Sequence, residues 1–276
     1  MGYCRHCGDD AGFLRNSHRE CEDANRDGWQ QMLSLSSESA LSGRNRENLV
    51  TELGDLATSS FVPSEKIRDA LLEGWEQAVQ TALGDHLISR EEETNLADYA
   101  ERFHLPQEEL DRNGARTSVI QGSVIREVVE GNLPDRQQVV GQIPFNLQKS
   151  EKLVWVFEDV SYLEERVQRE RVGGAQGASI RVMRGVYYHT GGFRSRTVET
   201  TVTEKMDVGL MGLTNKHIYF AGSSKRFRVA YNRIVAFDPF SDGFGIMREA
   251  QTARPQMFIT GNGWFVYNMV TNLAQM

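Results

Sequence analysis

Four side chains near the start of the sequence constrain it most: Cys4, Cys7, His18 and Cys21, spaced C-x2-C-x10-H-x2-C. The 276 residues include three cysteines, and all three belong to this set. Three thiolates and one imidazole make a complete tetrahedral shell for a zinc ion. Cys7-Gly8 reads as the sharp turn of a zinc knuckle. Ser17-His18-Arg19-Glu20 reads as a capping box with Ser17 as N-cap and Glu20 reaching back. That places His18 and Cys21 three apart on one helical face, both within reach of one ion. Four protein ligands leave no position for water or substrate, so the expected Zn2+ is structural, not catalytic. His6, between the first two cysteines, is expected outside the shell.

The chain lacks any apolar run near the roughly 18 to 20 residues of a membrane span. Its first residues lack the apolar core of a secretion signal. Cysteines at metal-ligand spacing suit a reducing compartment better than a disulfide framework. These features lead us to expect a cytoplasmic protein. The net charge of −7 is unevenly spread. Residues 1–140 carry 14 Lys/Arg and 26 Asp/Glu, a net of −12, whereas residues 141–276 carry 17 and 12, a net of +5. The shift falls at a Gly/Pro-containing stretch from Gly131 to Pro144, which marks an expected domain boundary. An anionic partner would sooner meet the C-terminal half.

The apolar periodicity predicts three parts. Residues 1–35 hold the metal segment and the start of a helix that runs through Trp29 and Leu33. The serine-rich stretch Ser34 to Ser42, ending at Gly43, reads as a linker. Residues 45–135 carry helical stripes: Leu49, Leu53, Leu56 and Ala57, then Ile67, Leu71, Trp75, Ala78 and Ala82 after the start signal Pro63-Ser64-Glu65. Ser89-Arg90-Glu91-Glu92 is a second capping box. Pro106 suits the first turn of a short helix that Gly114 closes, and a last helix carries Val119, Ile120, Val124 and Val128 up to Gly131. Residues 145–276 change to a strand pattern. The runs are Leu153 to Phe157, Val182 to Tyr188, Val208 to Thr214, Lys216 to Phe220, Phe227 to Tyr231, Ile234 to Phe237, Gly245 to Met247 and Met257 to Thr260. Thr214-Asn215-Lys216 reads as a hairpin turn, and Gly173-Gly174 and Gly191-Gly192 as loop punctuation. Trp264, Val266, Tyr267, Val270 and Leu273 form a terminal helical stripe. Together these predict an α+β multidomain chain: a zinc knuckle, a small helical bundle, then a small β-barrel with a helix over one open end.

Those residues carry a resemblance in three parts. CRHCGDDAGFLRNSHREC resembles small zinc segments at the front of bacterial proteins. ALGDHLISREEETNLADYAERFHL resembles TerB-like helical domains, named after tellurite resistance. VMRGVYYHTGGF, GLMGLTNKHIYFAG and FDPFSDGFGIMRE resemble bacterial pleckstrin-homology-like or GRAM-like domains, which are barrels with a C-terminal helix. The resemblance implies recognition rather than turnover, through barrel loops that meet proteins or lipids. It also implies a setting in bacterial stress responses or defence against phages.

Other candidate sites carry less chemistry. Asp85, Glu91, Glu92 and Glu93 do not fit a calcium loop, since Thr81 and Leu83 fill early ligand positions and His86 stands where glycine belongs. They suit a helix N-terminus instead. Lys225, Arg226 and Arg228, with Arg181, Arg184, Arg194 and Arg196, could bind phosphate groups if they converge, or protect a strand edge. His189 and His217 could pair with Asp207, Asp238 or Asp242, but the sequence holds neither a Walker-type loop nor G-x-S-x-G. We therefore expect a non-enzymatic adaptor or regulatory protein that docks on a protein partner. The alternative is an accessory protein that binds nucleic acid or anionic membranes through its basic C-terminal half. Arg5, Arg15 and Arg19 lie in the zinc segment, yet residues 1–23 hold three positive and five negative charges, which weighs against nucleic acid there.

Overall fold

Helical periodicity fills the first half of the chain and strand alternation most of the second, and the structure divides the chain in the same way. A computed structural model describes residues 2–12, 15–85, 87–134, 143–175, 178–183, 186–190, 193–250 and 253–276. The chain divides into two units, Met1–Asn132 and Leu133–Met276.

The first unit opens with a two-stranded ribbon, β1 (Gly2–Tyr3) and β2 (Asp10–Gly12), and continues in six helices. These are α1 (Arg19–Ser42), α2 (Leu49–Ser59), α3 (Ile67–Ala82), α4 (Arg90–Arg102), α5 (Gln107–Leu110) and α6 (Ala115–Val129). The predicted stripes face inward. Leu49, Leu53, Ala57, Leu71, Trp75 and Ala78 are buried in one cluster with Met32 and Leu33 of α1, which Leu96 and Tyr99 of α4 also enter. The capping box at Ser89 is formed in full, with Glu92 returning to the Ser89 backbone. Gly114, expected to close a helix, instead adopts φ 73° as the N-cap of α6.

The serine-rich stretch is a correction. It is helix, not linker: α1 runs on to Ser42 and ends at Gly43, whose φ of 70° closes it. Small side chains explain this. Ser36 and Ser39 are buried, and α1 packs closely on α3 at Ser36 and Gly74. A Cβ at Gly74 would lie 2.3 Å from Ser36 Cβ and 3.1 Å from the Ser37 nitrogen. Gly74→Ala is therefore expected to destabilise the first unit by about 1–3 kcal/mol, the usual cost of overpacking. Hydrogen exchange at Ala70–Ala78 across a urea series reads this out, and an unchanged midpoint would refute the close approach.

The second unit is built on one antiparallel sheet. Its strands are β3 (Leu153–Ala175), β6 (Phe193–Thr214), β7 (His217–Gly222), β8 (Arg226–Ala230), β9 (Ile234–Pro239), β10 (Gly243–Arg248) and β11 (Gln256–Ile259), with β4 (Ala178–Met183) and β5 (Val186–Thr190) as a separate pair. The order across the sheet is β8-β7-β6-β3-β11-β10-β9. The helix α7 (Gly263–Leu273) packs on β9 and β10, with Asn262 capping its N-terminus at Phe265 N–H. Phe265 of α7 meets Trp155 edge-on at 4.8 Å, and Tyr162, Phe220, Phe244 and Phe258 are fully buried.

Three strand expectations change. The sheet has two ends, β8 and β9, and does not close into a barrel. Both edges carry features that resist pairing: exposed Arg226 and Arg228 on β8, and Asp238 with Pro239 on β9. Gly173 and Gly174 lie within β3, opposite Ser195 and Arg194, rather than in a loop. The run from Val182 to Tyr188 is divided between β4 and β5. Gly191 and Gly192 lie outside the described residues.

Candidate metal centre

The N-terminal ribbon brings the first two cysteines and the start of α1 together. Cys4 N–H donates to Asp9 O at 2.7 Å, Gly8 N–H to Cys4 O at 2.9 Å and Arg5 N–H to Asn16 O at 2.8 Å. These bonds fold residues 4–8 into a knuckle, with Gly8 at φ 81°, a left-handed turn where a side chain would be strained. Cys4, Cys7, His18 and Cys21 offer four ligand atoms that all lie within 4.8 Å of one another. They are close enough to hold one metal ion, and the donor set is compatible with zinc.

Distances within the cluster fit that use. His18 Nδ1 lies 3.4 Å from Cys7 Sγ and 3.8 Å from Cys21 Sγ. A tetrahedral zinc with ordinary Zn–S and Zn–N bonds sets such pairs about 3.6 Å apart. His18 Nε2 lies 3.0 Å from the Asp10 carbonyl oxygen. A proton donated from Nε2 to that carbonyl leaves the Nδ1 lone pair turned toward the thiols, the tautomer a metal requires. The His18 backbone N–H also points at Cys4 Sγ, 3.4 Å away.

The electrostatics show how crowded the sulfurs are. Burial pushes the Cys4 thiol up, but backbone N–H groups of Cys7, His18 and His6 outweigh it and hold the group at about 6. Burial, then the Cys7 and Cys4 sulfurs, push Cys21 up to about 11. The Asp10 carbonyl holds the His18 imidazole above its usual range. A dication at the centre neutralises this repulsion between neighbouring thiolates.

The helix start differs from expectation. The N-cap of α1 is His18, at φ −87° and ψ 144°, without a side-chain cap bond, and the Ser17 capping box does not form. Ser17 Oγ donates instead to Glu22 Oε1 at 2.5 Å, and Arg5 Nη2 pairs with the same oxygen at 3.3 Å. The Cys/His cluster takes over the N-cap: His18 Nδ1 lies toward the Cys7 and Cys21 thiols and makes no cap bond to the helix. His6 accepts from Arg5 Nε at 3.2 Å, and its ring faces Phe61 at 6.3 Å.

Outside this centre the predicted groups scatter. Glu92 belongs to its capping box and Glu93 pairs with Arg126 at 2.6 Å, while His86 lies outside the described residues. His217 meets none of the expected aspartates. Its Nδ1 lies 2.8 Å from Glu151 Oε1, in a buried cluster where Glu151 also accepts from Thr214 Oγ1 at 2.5 Å, Tyr219 OH at 2.7 Å and Gln148 N–H at 2.9 Å. Sequence reading missed Glu151, because its side-chain partners Thr214, His217 and Tyr219 lie more than 60 residues away along the chain. Asp207 is used in a turn, accepting from the backbone of Ser224 and Lys225 at 2.7 Å each, which hold it well below the usual carboxylate range. Asp242 accepts Thr260 and Gly261 N–H on its carbonyl.

The basic residues fall into two groups. Lys225 precedes β8, which carries Arg226 and Arg228, while Arg194 and Arg196 lie on β6 opposite the far end of β3. The stretch of β6 that pairs with β7 begins thirteen residues beyond Arg196, at Gly209. Arg181 lies on β4, and Arg184 and the side chain of His189 fall outside the described residues.

No protein-family model, curated protein or solved structure matches this chain. Among the described residues, no helix is long and apolar enough to cross a membrane.

Proposed function

We propose that this chain is a non-enzymatic zinc protein that docks on a protein partner as an adaptor or regulator. The observation that carries the reading is the four-donor cluster of Cys4, Cys7, His18 and Cys21. Four protein ligands satisfy zinc and leave no place for a substrate oxygen. The metal then fixes the start of α1, whose other end is packed in the helical bundle. Support for a pleckstrin-like second unit comes from its strand order. Four successive sheet strands end at β8, the last strand returns to the free side of the first, and a helix follows. The TerB-like reading of the first unit rests on its sequence stretch and helical packing. The setting we propose is a bacterial stress-response or anti-phage system.

Cobalt substitution tests the closed shell. The Co(II) protein is expected to show the intense visible absorption of a four-coordinate site, unchanged by added thiocyanate. A spectrum that shifts with thiocyanate would reveal an open position and overturn the structural assignment. Affinity isolation of the full chain from its native host, after cross-linking in the cell, is expected to retain a defined protein at fixed stoichiometry. Recovery of the chain alone overturns the adaptor reading.

A further inference from the structure

The helical unit holds a cavity of about 460 Å3, inside the range of about 300–1,000 Å3 usual for small-molecule sites. Residues of α4, α5 and α6 line it, together with Trp75 of α3. The buried part of the lining is Trp75, Leu96, Leu105 and Leu110. Ala97 and Ala100 of α4 and Val119 and Ile120 of α6 complete its apolar surface and are half-buried or exposed. Trp75 Nε1 donates to the Leu96 carbonyl oxygen at 3.0 Å, so the one polar side-chain atom of the buried lining is already bonded. The part of a ligand that enters must therefore be apolar, since a buried polar atom without a partner is destabilising. Four ionisable side chains stand at the cavity, and they are not equivalent. Glu93 is held by Arg126 at 2.6 Å. Glu101 and His104 are exposed, where water solvates them. Arg116 is half-buried and, among the described residues, makes neither a hydrogen bond nor an ion pair through its side chain. A guanidinium that has lost part of its water without gaining a partner is the group here that an incoming anion stabilises most.

We infer that this cavity binds an aliphatic monocarboxylate, with the chain inside and the carboxylate on Arg116. The arginine fork can donate two parallel hydrogen bonds to one carboxylate. A single negative charge suits the place. Residues 1–140 carry a net of −12, which repels polyanions from this half of the chain. A lone carboxylate beside Arg116 is shielded from the more distant acidic residues, because exposed charges are screened beyond about 8–10 Å. A cationic amphiphile would gain only the exposed Glu101 and leave Arg116 without a partner. The inference goes beyond the docking reading and does not rest on it: it gives the helical unit a small ligand, and either can fail without the other.

The test titrates the full chain, with its metal, against octanoate, octanol and octylammonium by calorimetry. Octanoate is expected to bind, and affinity is expected to rise about fourfold per added methylene from hexanoate to decanoate. Arg116→Gln is expected to weaken octanoate about tenfold or more and to leave octanol unchanged. Ala97→Phe fills the cavity from an exposed position on α4 and is expected to abolish binding of both while keeping the helical circular dichroism. No octanoate binding at millimolar concentration overturns the proposal. Octylammonium that binds as tightly as octanoate, or octanoate affinity unchanged by Arg116→Gln, also overturns it. As a readout independent of substitution, octanoate is expected to slow hydrogen exchange at Leu96–Ala100 and Ile120–Ser123 in the unaltered protein. Protection confined to other segments refutes the site, and decides the matter should Ala97→Phe lose helicity. A chain that retains its protein partner but binds no carboxylate loses this ligand and keeps the adaptor reading.

Discussion

Cys21→Ser protein is expected to purify with essentially no zinc, against about one ion per chain in the unaltered protein. Structural zinc contributes about 10–16 kcal/mol to the folding of small zinc modules, so losing one of four ligands removes the main source of order in a segment without its own core. Among the described residues, the segment from Gly2 to His18 is otherwise held by one two-stranded ribbon, the backbone bonds of the knuckle, the Ser17 and Arg5 bonds to Glu22 and the His6–Phe61 contact. Hydrogen exchange should show that segment unprotected, with fraying of α1 that stops near Gly28 and Trp29, where packing on the bundle begins. His6→Ala is expected to keep its zinc, since His6 bonds to Arg5 and faces Phe61. Elemental analysis decides both. Full zinc in Cys21→Ser would mean that Cys21 is not a ligand, and loss of zinc in His6→Ala would put His6 in the shell.

The second large effect is expected at Glu151. Its side chain is fully buried. Burial pushes the carboxyl up, but Gln148 N–H, Thr214, Tyr219 and His217 together outweigh that and hold it at about 2, against 4.5 for an ordinary glutamate. The folded value is the depressed one. Its stabilisation is therefore fully present above pH 4.5 and drains away as the pH falls toward 2. A shift of this size corresponds to about 3 kcal/mol. Glu151→Gln is expected to cost about 2–3 kcal/mol near neutral pH, the range for hydrogen bonds to a charged group. It should also flatten the acid dependence in that window. Hydrogen exchange at Met211–Thr214 and His217–Phe220 reports on this region without interference from the helical unit. Equal acid sensitivity in the variant would show that other carboxylates govern the transition.

How legible these features were in the sequence depended on how local their physics is. Cys4, Cys7, His18 and Cys21 lie within eighteen residues, and their spacing is a local constraint, so sequence order was enough to bring them into one cluster. The Ser89 capping box was readable for the same reason, since it spans four residues. The Ser17 box was not: its pattern matched, but His18 takes the N-cap position and its side chain joins the Cys/His cluster. The serine run misled because serine signals a loop when exposed and a close-packed contact when it meets a glycine such as Gly74. That partner lies on another helix and is invisible to a local window. Sheet closure depends on the edges, which no single strand encodes. The Glu151 cluster joins residues separated by 63 to 68 positions, with only ordinary residue types at each.

The antiparallel pairing of β11 with β3 sets Glu164 opposite Gln256 and Ser161 opposite Ile259. Most of the second unit lies between those partners in the chain, whereas the helices of the first are built on contacts between near neighbours. Loop-closure entropy must be met before such distant pairing gives any return, which makes it slow. On the ribosome, the helical unit can assemble as soon as it emerges. The sheet must wait for Gln256–Ile259 to be translated, with the outer side of β3 open to solvent, and to other nascent chains, until they arrive.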